Sequence, residues 1–352
     1  MDSISHTGCS IVSTFKTKTF TQQSRGIVFN KHKIIFREFL MFLTKMVTKV
    51  LSWFDSNTVK ATDNFGQAID WLRVIPFILL HVVCLLVFVV GWSPVALWVA
   101  LFSYLIRMFA ITAFYHRYFS HKAFKTGRIC QFLFALLGAT ATQRGPIWWA
   151  SHHRRHHLYS DKDKDIHSPR HGFLWSHMGW FLCLKNFTTQ ENCVRDLLKF
   201  PELRWLDRFD IFVPIAYAFL MLGLGKWLEI YFPELNTNAS QMLIWGYFVS
   251  SIVLIHCTLS VNSLAHIYGS KRYQTNDNSR NNGFLALIAL GEGWHNNHHH
   301  YPVSARQGFF WWEIDISYYL LKLMSLFGLI WDLQTVPPER LKSNLIQEES
   351  NG

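Results

Sequence analysis

The stretch Gly291-Glu292-Gly293-Trp294-His295-Asn296-Asn297-His298-His299-His300-Tyr301-Pro302 holds histidines at i, i+3 and i+4. On a helix those three imidazoles share one face. The same spacing recurs in His153-Arg154-Arg155-His156-His157, and a wider pair, His116 and His121, lies upstream. Fifteen of the 18 histidines fall between residues 116 and 300. A lone histidine on an apolar face is ordinarily a satisfied core residue. Three clusters at repeated ligand-type spacing reverse that expectation, because neutral imidazole is the commonest protein ligand for iron, zinc and copper.

The collected set is His116, His121, His153, His156, His157, His266, His295, His298 and His299. Nine imidazoles exceed the roughly four to six ligands of one metal and suit two. Asn262, four residues before His266, shares its helical face and can reach a metal through a water. Carboxylate-type di-metal bundles use Glu-x-x-His pairs. No such motif on each of two helices accompanies these clusters, so the centre reads as histidine-rich. Ligand type alone leaves iron and zinc open. His152, His167, His171, His177 and His300 fall outside the set, and Asp161-Lys162-Asp163-Lys164-Asp165 reads as a solvated loop.

The elements that must position these groups are apolar. The chain is 50% hydrophobic and only 16% charged, against about 25% for a soluble domain. Trp71–Val90 and Val95–Tyr115 read as spans joined by the turn Gly91-Trp92-Ser93-Pro94, the second interrupted only by Arg107. Phe209–Leu224 and Met242–Ser263 form a second pair around a mildly acidic connection, Lys226–Gln241. The expected fold is therefore all-α and membrane-integral: four transmembrane helices in two hairpins under a helical cap. The flanks Lys60, Arg73, Arg117, Lys122, Lys125 and Arg128 put that cap, with every histidine cluster, on the cytoplasmic side. These flanks also account for the net charge of +11 without nucleic acid. Residues 1–60 read as a polar, basic extension in which Phe39–Phe54 forms an amphipathic surface helix. The main body covers 61–335, residues 309–331 read as a helix packed on the cap face with a fifth span as the alternative, and a mobile polar tail covers 336–352. Six cysteines without a CxxC pair fit a reducing compartment.

The boxes His116-Arg117-Tyr118-Phe119-Ser120-His121, His153-Arg154-Arg155-His156-His157 and His295-Asn296-Asn297-His298-His299 resemble the HxxxxH, HxxHH and HxxHH signature of membrane fatty acid desaturases. Asn262-Ser263-Leu264-Ala265-His266-Ile267-Tyr268-Gly269, Ser176-His177-Met178-Gly179-Trp180 and Gly291-Glu292-Gly293 resemble the stearoyl-CoA, delta-9 branch. The resemblance covers about residues 70–320. It implies a di-iron centre held by the nine histidines, with Asn262 linked through water. Zinc is the expected contaminant in overexpressed protein. It implies too that O2 and electrons from a separate donor, of cytochrome b5 or ferredoxin type with its reductase, remove two hydrogens from a saturated C16–C18 acyl thioester. The site would be an apolar tunnel, with Trp148 and Trp149 as lining or as interfacial anchors. Lys185, Arg144, Arg154 and Arg155 would meet the phosphates of coenzyme A. The membrane would be the endoplasmic reticulum or a cell inner membrane.

Two features depart from the pattern. Animal acyl-CoA enzymes carry Arg-Asp before the second box where this chain has Ser151-His152, and His300 is extra. They leave open a chain esterified to a phospholipid. A hydroxylase on the same scaffold is a further alternative. A histidine-lined metal transporter is another, but it needs ionisable ligands within the spans, where only His81, Arg107 and His256 lie.

Overall fold

The computed structural model describes residues 18–51, 54–56, 69 and 71–346, and it divides at Ser52 into two units. The first contains one helix, α1 (Lys18–Leu51), longer than the surface helix expected over Phe39–Phe54. Ile35, Phe36, Phe39, Leu40, Phe42 and Val47 are all exposed along it. The expectation for residues 1–17 lies outside the described residues.

The second unit is helical almost throughout. α2 (Trp71–Cys84) carries Pro76 and is followed by one more turn, Val87–Val90. Gly91 then reverses the chain at φ +66°, a conformation glycine takes without steric cost. Ser93 caps α3 (Pro94–Ser120), its Oγ accepting from the Ala96 N–H at 3.1 Å, and Pro94 occupies the first helical position. After β1 (Lys125–Thr126) come α4 (Arg128–Ala139), α5 (Pro146–Tyr159) and α6 (Pro201–Arg208). The long helices α7 (Phe212–Tyr231) and α8 (Ala239–His266) follow. Then come α9 (Gly283–Ile288), α10 (His295–His300), α11 (Ile316–Leu326), β2 (Ile330–Trp331) and α12 (Pro338–Lys342).

Among the described residues, three helices, α3, α7 and α8, are long and apolar enough to cross a membrane, and Val74–Val90 is a shorter apolar helix. α7 starts and ends later than the apolar run Phe209–Leu224. Its apolar series continues through Trp227, Leu228 and Ile230, so Lys226 and Glu229 lie on the helix and the connection to α8 is shorter than Lys226–Gln241. Arg107 of α3 is wholly buried. Its guanidinium donates to the carbonyls of Ser103 and Thr140 and to the hydroxyls of Ser250 and Ser251, so the charge is solvated by protein. Arg117, expected as a surface flank, is buried as well, bonded to Asp315 at 2.9 Å and to Glu292 at 3.1 Å.

The helices bearing the first and second boxes are packed into the core. Phe114 of α3 stacks on Phe134 of α4 at 3.9 Å, and Gly138 lies so close to the Tyr115 ring that a side chain there would collide with it. Asp207 of α6 caps α5, accepting from the Trp148 N–H at 2.8 Å. Burial, then the nearby Asp210 charge, raise the Asp207 carboxyl to about 6. The region 309–331 is helical only over α11, and β2 pairs antiparallel with β1, Thr126 opposite Ile330. The tail expected to be mobile is pinned as far as Ile346. Ile346 N donates to Arg272 O at 2.9 Å and Gln274 N to Asn344 O at 2.8 Å.

Candidate metal centre

The first box depends on a change of helical winding. In an α-helix, residues five apart point about 140° away from each other. From Ala110 to Ser120, however, α3 winds as a π-helix, and His121 N donates to the His116 carbonyl five residues back at 3.2 Å. That wider turn stacks residue i+5 over residue i, and the His116 and His121 rings lie 4.9 Å apart. α5 and α10 present the other two boxes with ordinary α spacing.

The nine candidate histidines converge into two groups. His116, His121, His153, His157 and His298 form one, and His156, His266, His295 and His299 form the other. In the first, His121 Nε2 and His153 Nε2 are 2.7 Å apart, and His157 Nε2 lies 3.0 Å from both His153 Nε2 and His298 Nε2. In the second, His266 Nε2 and His295 Nε2 are 3.0 Å apart. Two nitrogens each about 2.1 Å from one ion and about 90° apart lie about 3.0 Å from each other, so these separations fit a shared cation.

The outer nitrogens explain which inner ones are bare. His266 Nδ1 meets Asp161 at 2.9 Å, His156 Nδ1 meets Asp165 at 3.1 Å, and His299 Nδ1 meets Asp277 at 2.6 Å. His116 Nδ1 meets Glu292. A carboxylate on Nδ1–H leaves Nε2 as a lone pair aimed inward, the arrangement that orients histidine for a metal. His156 Nε2 and His299 Nε2 are buried with no hydrogen-bond partner, which a cation would supply. The residues present therefore fit a metal in each group.

Burial, then repulsion among neighbouring imidazoles, hold His121, His153, His157, His295 and His298 well below their ordinary value. Burial brings His299 down to about 4 against the opposing pull of Asp277. His156 moves up: burial lowers it, but Asp165, Asp161 and Asp277 together outweigh that. The carboxylates that favour a proton there equally favour a metal cation.

These carboxylates correct the reading of the Asp161–Asp165 run. Asp163 is exposed, but Asp161 and Asp165 are buried against the histidines. Burial opposes ionisation at Asp161, yet His266 and its other hydrogen bonds hold it down to about 2. Asp161 and Asp165 lie beyond the end of α5 at Tyr159, so helical spacing from the second box does not mark them. Glu292, three residues before His295, was a signal available in the sequence. His167, left outside the ligand set, stacks on His156 at 4.2 Å and with Asp165 makes a third cluster of ligand-type side chains.

A cavity opens beside both groups, lined by Met108, Ile111 and Thr112 of α3, Thr258, Val261 and Asn262 of α8, Trp149, Ala289 and Glu292, and reaching His116, His153 and His295. Asn262 thus faces the cavity with ligand histidines of both groups. Trp149 lines it and stacks on His153 at 5.1 Å. Trp148 does not. Its ring packs on Trp180 at 5.7 Å and its Nε1–H donates to Asn186 O, because the capped first turn of α5 points it away from the cavity.

Three of the four basic residues expected to meet coenzyme A are engaged elsewhere. Arg144 pairs with Asp210 and lies over Phe187. Arg154 grips Asp196 and the carbonyls of Phe119, Ser120 and Cys193. Arg155 donates to Gln190, and Lys185 is exposed. Ser151, beside the second box, is buried and donates to the Trp148 carbonyl.

Apolar helices long enough to cross a membrane thus carry two histidine groups that could each hold a metal ion beside one narrow cavity. Residues 91–326 match the fatty acid desaturase family model. Over 293 residues the chain is 34% identical to an sn-2 palmitoyl-lipid 9-desaturase of Nostoc sp. (strain 36), covering 79% of this chain and 98% of that one. It is 36% identical over 264 residues to an sn-1 stearoyl-lipid 9-desaturase of Anabaena variabilis (74% and 92% covered). It is also 37% identical over 302 residues to an acyl-CoA 5-desaturase of Anemone leveillei (81% and 88% covered). The chain belongs to the fatty acid desaturase family.

Proposed function

We propose that this protein is an O2-dependent desaturase that introduces a double bond at the ninth carbon of a C16–C18 chain esterified to a membrane lipid. The observation that carries the reading is the pair of histidine groups meeting at one cavity. Two irons held there, one by each group with Asn262 assisting through water, would supply the oxidant that an unactivated C–H bond requires. The acyl CH2–CH2 gives up two hydrogens to become CH=CH, and O2 takes up those two hydrogens with two electrons from the donor and two protons to leave as two waters. The protein's part is to hold the chain against Trp149 and the α3 and α8 walls, to exclude bulk water, and to fix the histidine tautomers through Asp161, Asp165, Asp277 and Glu292. The electrons come from a separate donor of cytochrome b5 or ferredoxin type. The apolar helices form four spans in two hairpins, with the cap and histidines facing the cytoplasm.

A lipid carrier is favoured over the thioester because Arg144 and Arg154 are already neutralised by Asp210 and Asp196, leaving little free charge for coenzyme A phosphates. Two of the relatives are named for lipid substrates. The thioester remains the second reading, supported by exposed Lys185 and by the acyl-CoA relative. The test gives membranes holding the protein, with a donor and O2, labelled stearoyl chains on phosphatidylcholine or on coenzyme A, with acyl transfer blocked. Conversion of the phospholipid is expected. Conversion of the thioester alone overturns the lipid reading, and conversion of neither by iron-loaded protein overturns the desaturase reading.

A further inference from the structure

The cavity has a thin side wall. On one flank it is bounded by Ala289 and Glu292, which follow α9, and these face Met108, Ile111 and Thr112 of α3. Three hydrogen bonds close this flank. The Tyr104 hydroxyl donates to Ile288 O at 2.5 Å, the Thr112 and Ser317 hydroxyls meet at 2.6 Å, and Ser317 N donates to Leu290 O at 2.9 Å. Tyr104 and Thr112 belong to the apolar run of α3, and Tyr104 stands eight residues, about 12 Å, beyond Thr112 on the side away from the histidines. α9 and α11 therefore lie alongside the span, at its depth, and not on top of it.

The exposure pattern agrees. Leu285, Ala286, Ser317 and Leu321 face inward and are buried. The outer faces are apolar: Phe284 and Leu287 are 71% and 60% exposed, and Leu320, Leu323 and Leu326 are exposed on α11. Lys322 alone breaks the outer face of α11, and its long stem can carry the charge to the headgroup level. Such faces suit lipid, and their continuity with α3 puts lipid there.

We propose that α9 and α11 form a lateral gate, latched by Tyr104–Ile288 and Thr112–Ser317, through which the acyl chain of a bilayer lipid slides sideways into the cavity. The inference rests on the acyl-lipid reading above. A chain already in the bilayer that entered tail-first from the cap would have to expose its methylenes to water. Entry through the flank keeps them in an apolar medium and leaves the headgroup at the surface. The latches themselves are neutral hydrogen bonds; opening also loosens the apolar packing of Leu285 and Leu321, while Asp315 at the start of α11 stays tied to Arg117.

A disulfide across the latch tests this, using Thr112→Cys with Ser317→Cys in the full chain. Because Thr112 lines the cavity, every oxidised rate is read against the same variant reduced and not against the parent, and oxidised parent protein controls for the oxidant. Protein preloaded with stearoyl-phosphatidylcholine and then oxidised should make one product per enzyme and stop, and reductant should restore turnover. Continued turnover when oxidised overturns the gate. Loss of the first turnover as well means that the latch cannot be separated from the cavity, and also overturns it. Reduced protein that converts stearoyl-CoA but not the phospholipid defeats the acyl-lipid reading, a result distinct from either. Should the double variant fail to assemble, a nitroxide on Leu287→Cys reports the same placement. Relaxation by O2 dissolved in the lipid is expected, and relaxation by an aqueous nickel chelate would refute it.

Discussion

The two histidine groups share a cavity yet are supported differently. In the group of five, only His116 rests on a carboxylate, Glu292, whose charge is also shared with buried Arg117. In the group of four, His156, His266 and His299 each rest on their own aspartate. One group has more nitrogen ligands and little negative charge behind them. The other has fewer ligands and three carboxylates, with Asn262 at the adjoining cavity wall. On the two-metal reading proposed above, ligand number and outer charge trade against each other, and the four-histidine group is the one that would have room for an exchangeable ligand.

Removing a ligand should have the largest effect. His157→Ala or His298→Ala in the five, and His266→Ala in the four, are each expected to lower product formation by more than the roughly 100-fold that an outer-shell change costs, with the protein still in the membrane. Full activity in several of them, measured by fatty-acid analysis of expressing cells, would break the assignment. The aspartates come next. Asp165→Asn and Asp277→Asn should cost about 10–100-fold and deplete only the metal of the four-histidine group. Glu292→Gln should deplete only the other. Metal analysis of each variant sharpens or erases the asymmetry.

Acid should then act on the metal-free protein. His299, at about 4 when folded against an ordinary 6.5, binds its proton more readily in the unfolded chain, so stability falls as pH drops from 6.5 towards about 4. His121, His153, His157 and His298, all depressed, act in the same direction, and His156, raised, acts against it. A chelator-treated sample whose melting temperature rises on acidification through this window would contradict these environments. The smallest effect belongs to the mouth: Lys185→Ala should leave phospholipid conversion within about twofold, as exposed charges far from the chemistry usually do.

The nine histidines were legible because ligand spacing and helical period coincide at two of the three boxes. The first box was not legible as a shared face, since its spacing works only on π winding, which no local pattern announces. The aspartates were hidden by distance: Asp277 stands 22 residues from His299 and Asp161 stands 105 from His266, pairs that only the folded chain brings together. Arg144 and Arg154 were misjudged for a related reason. A sequence gives their charge but not Asp210 or Asp196 beside them. The apolar runs located three long helices well. They did not show that α9 and α11 lie against α3, a contact made through Tyr104 and Thr112 that only the folded chain reveals.

The central claim is two metals in two unequal histidine groups. The most direct measurement is iron per chain in active protein purified from membranes, alongside the His266→Ala and His298→Ala variants. The account predicts two irons in the parent and one in each variant, with Mössbauer spectra in which the two variants retain different sites. A single iron in active parent protein, or variants that lose the same site, would contradict it.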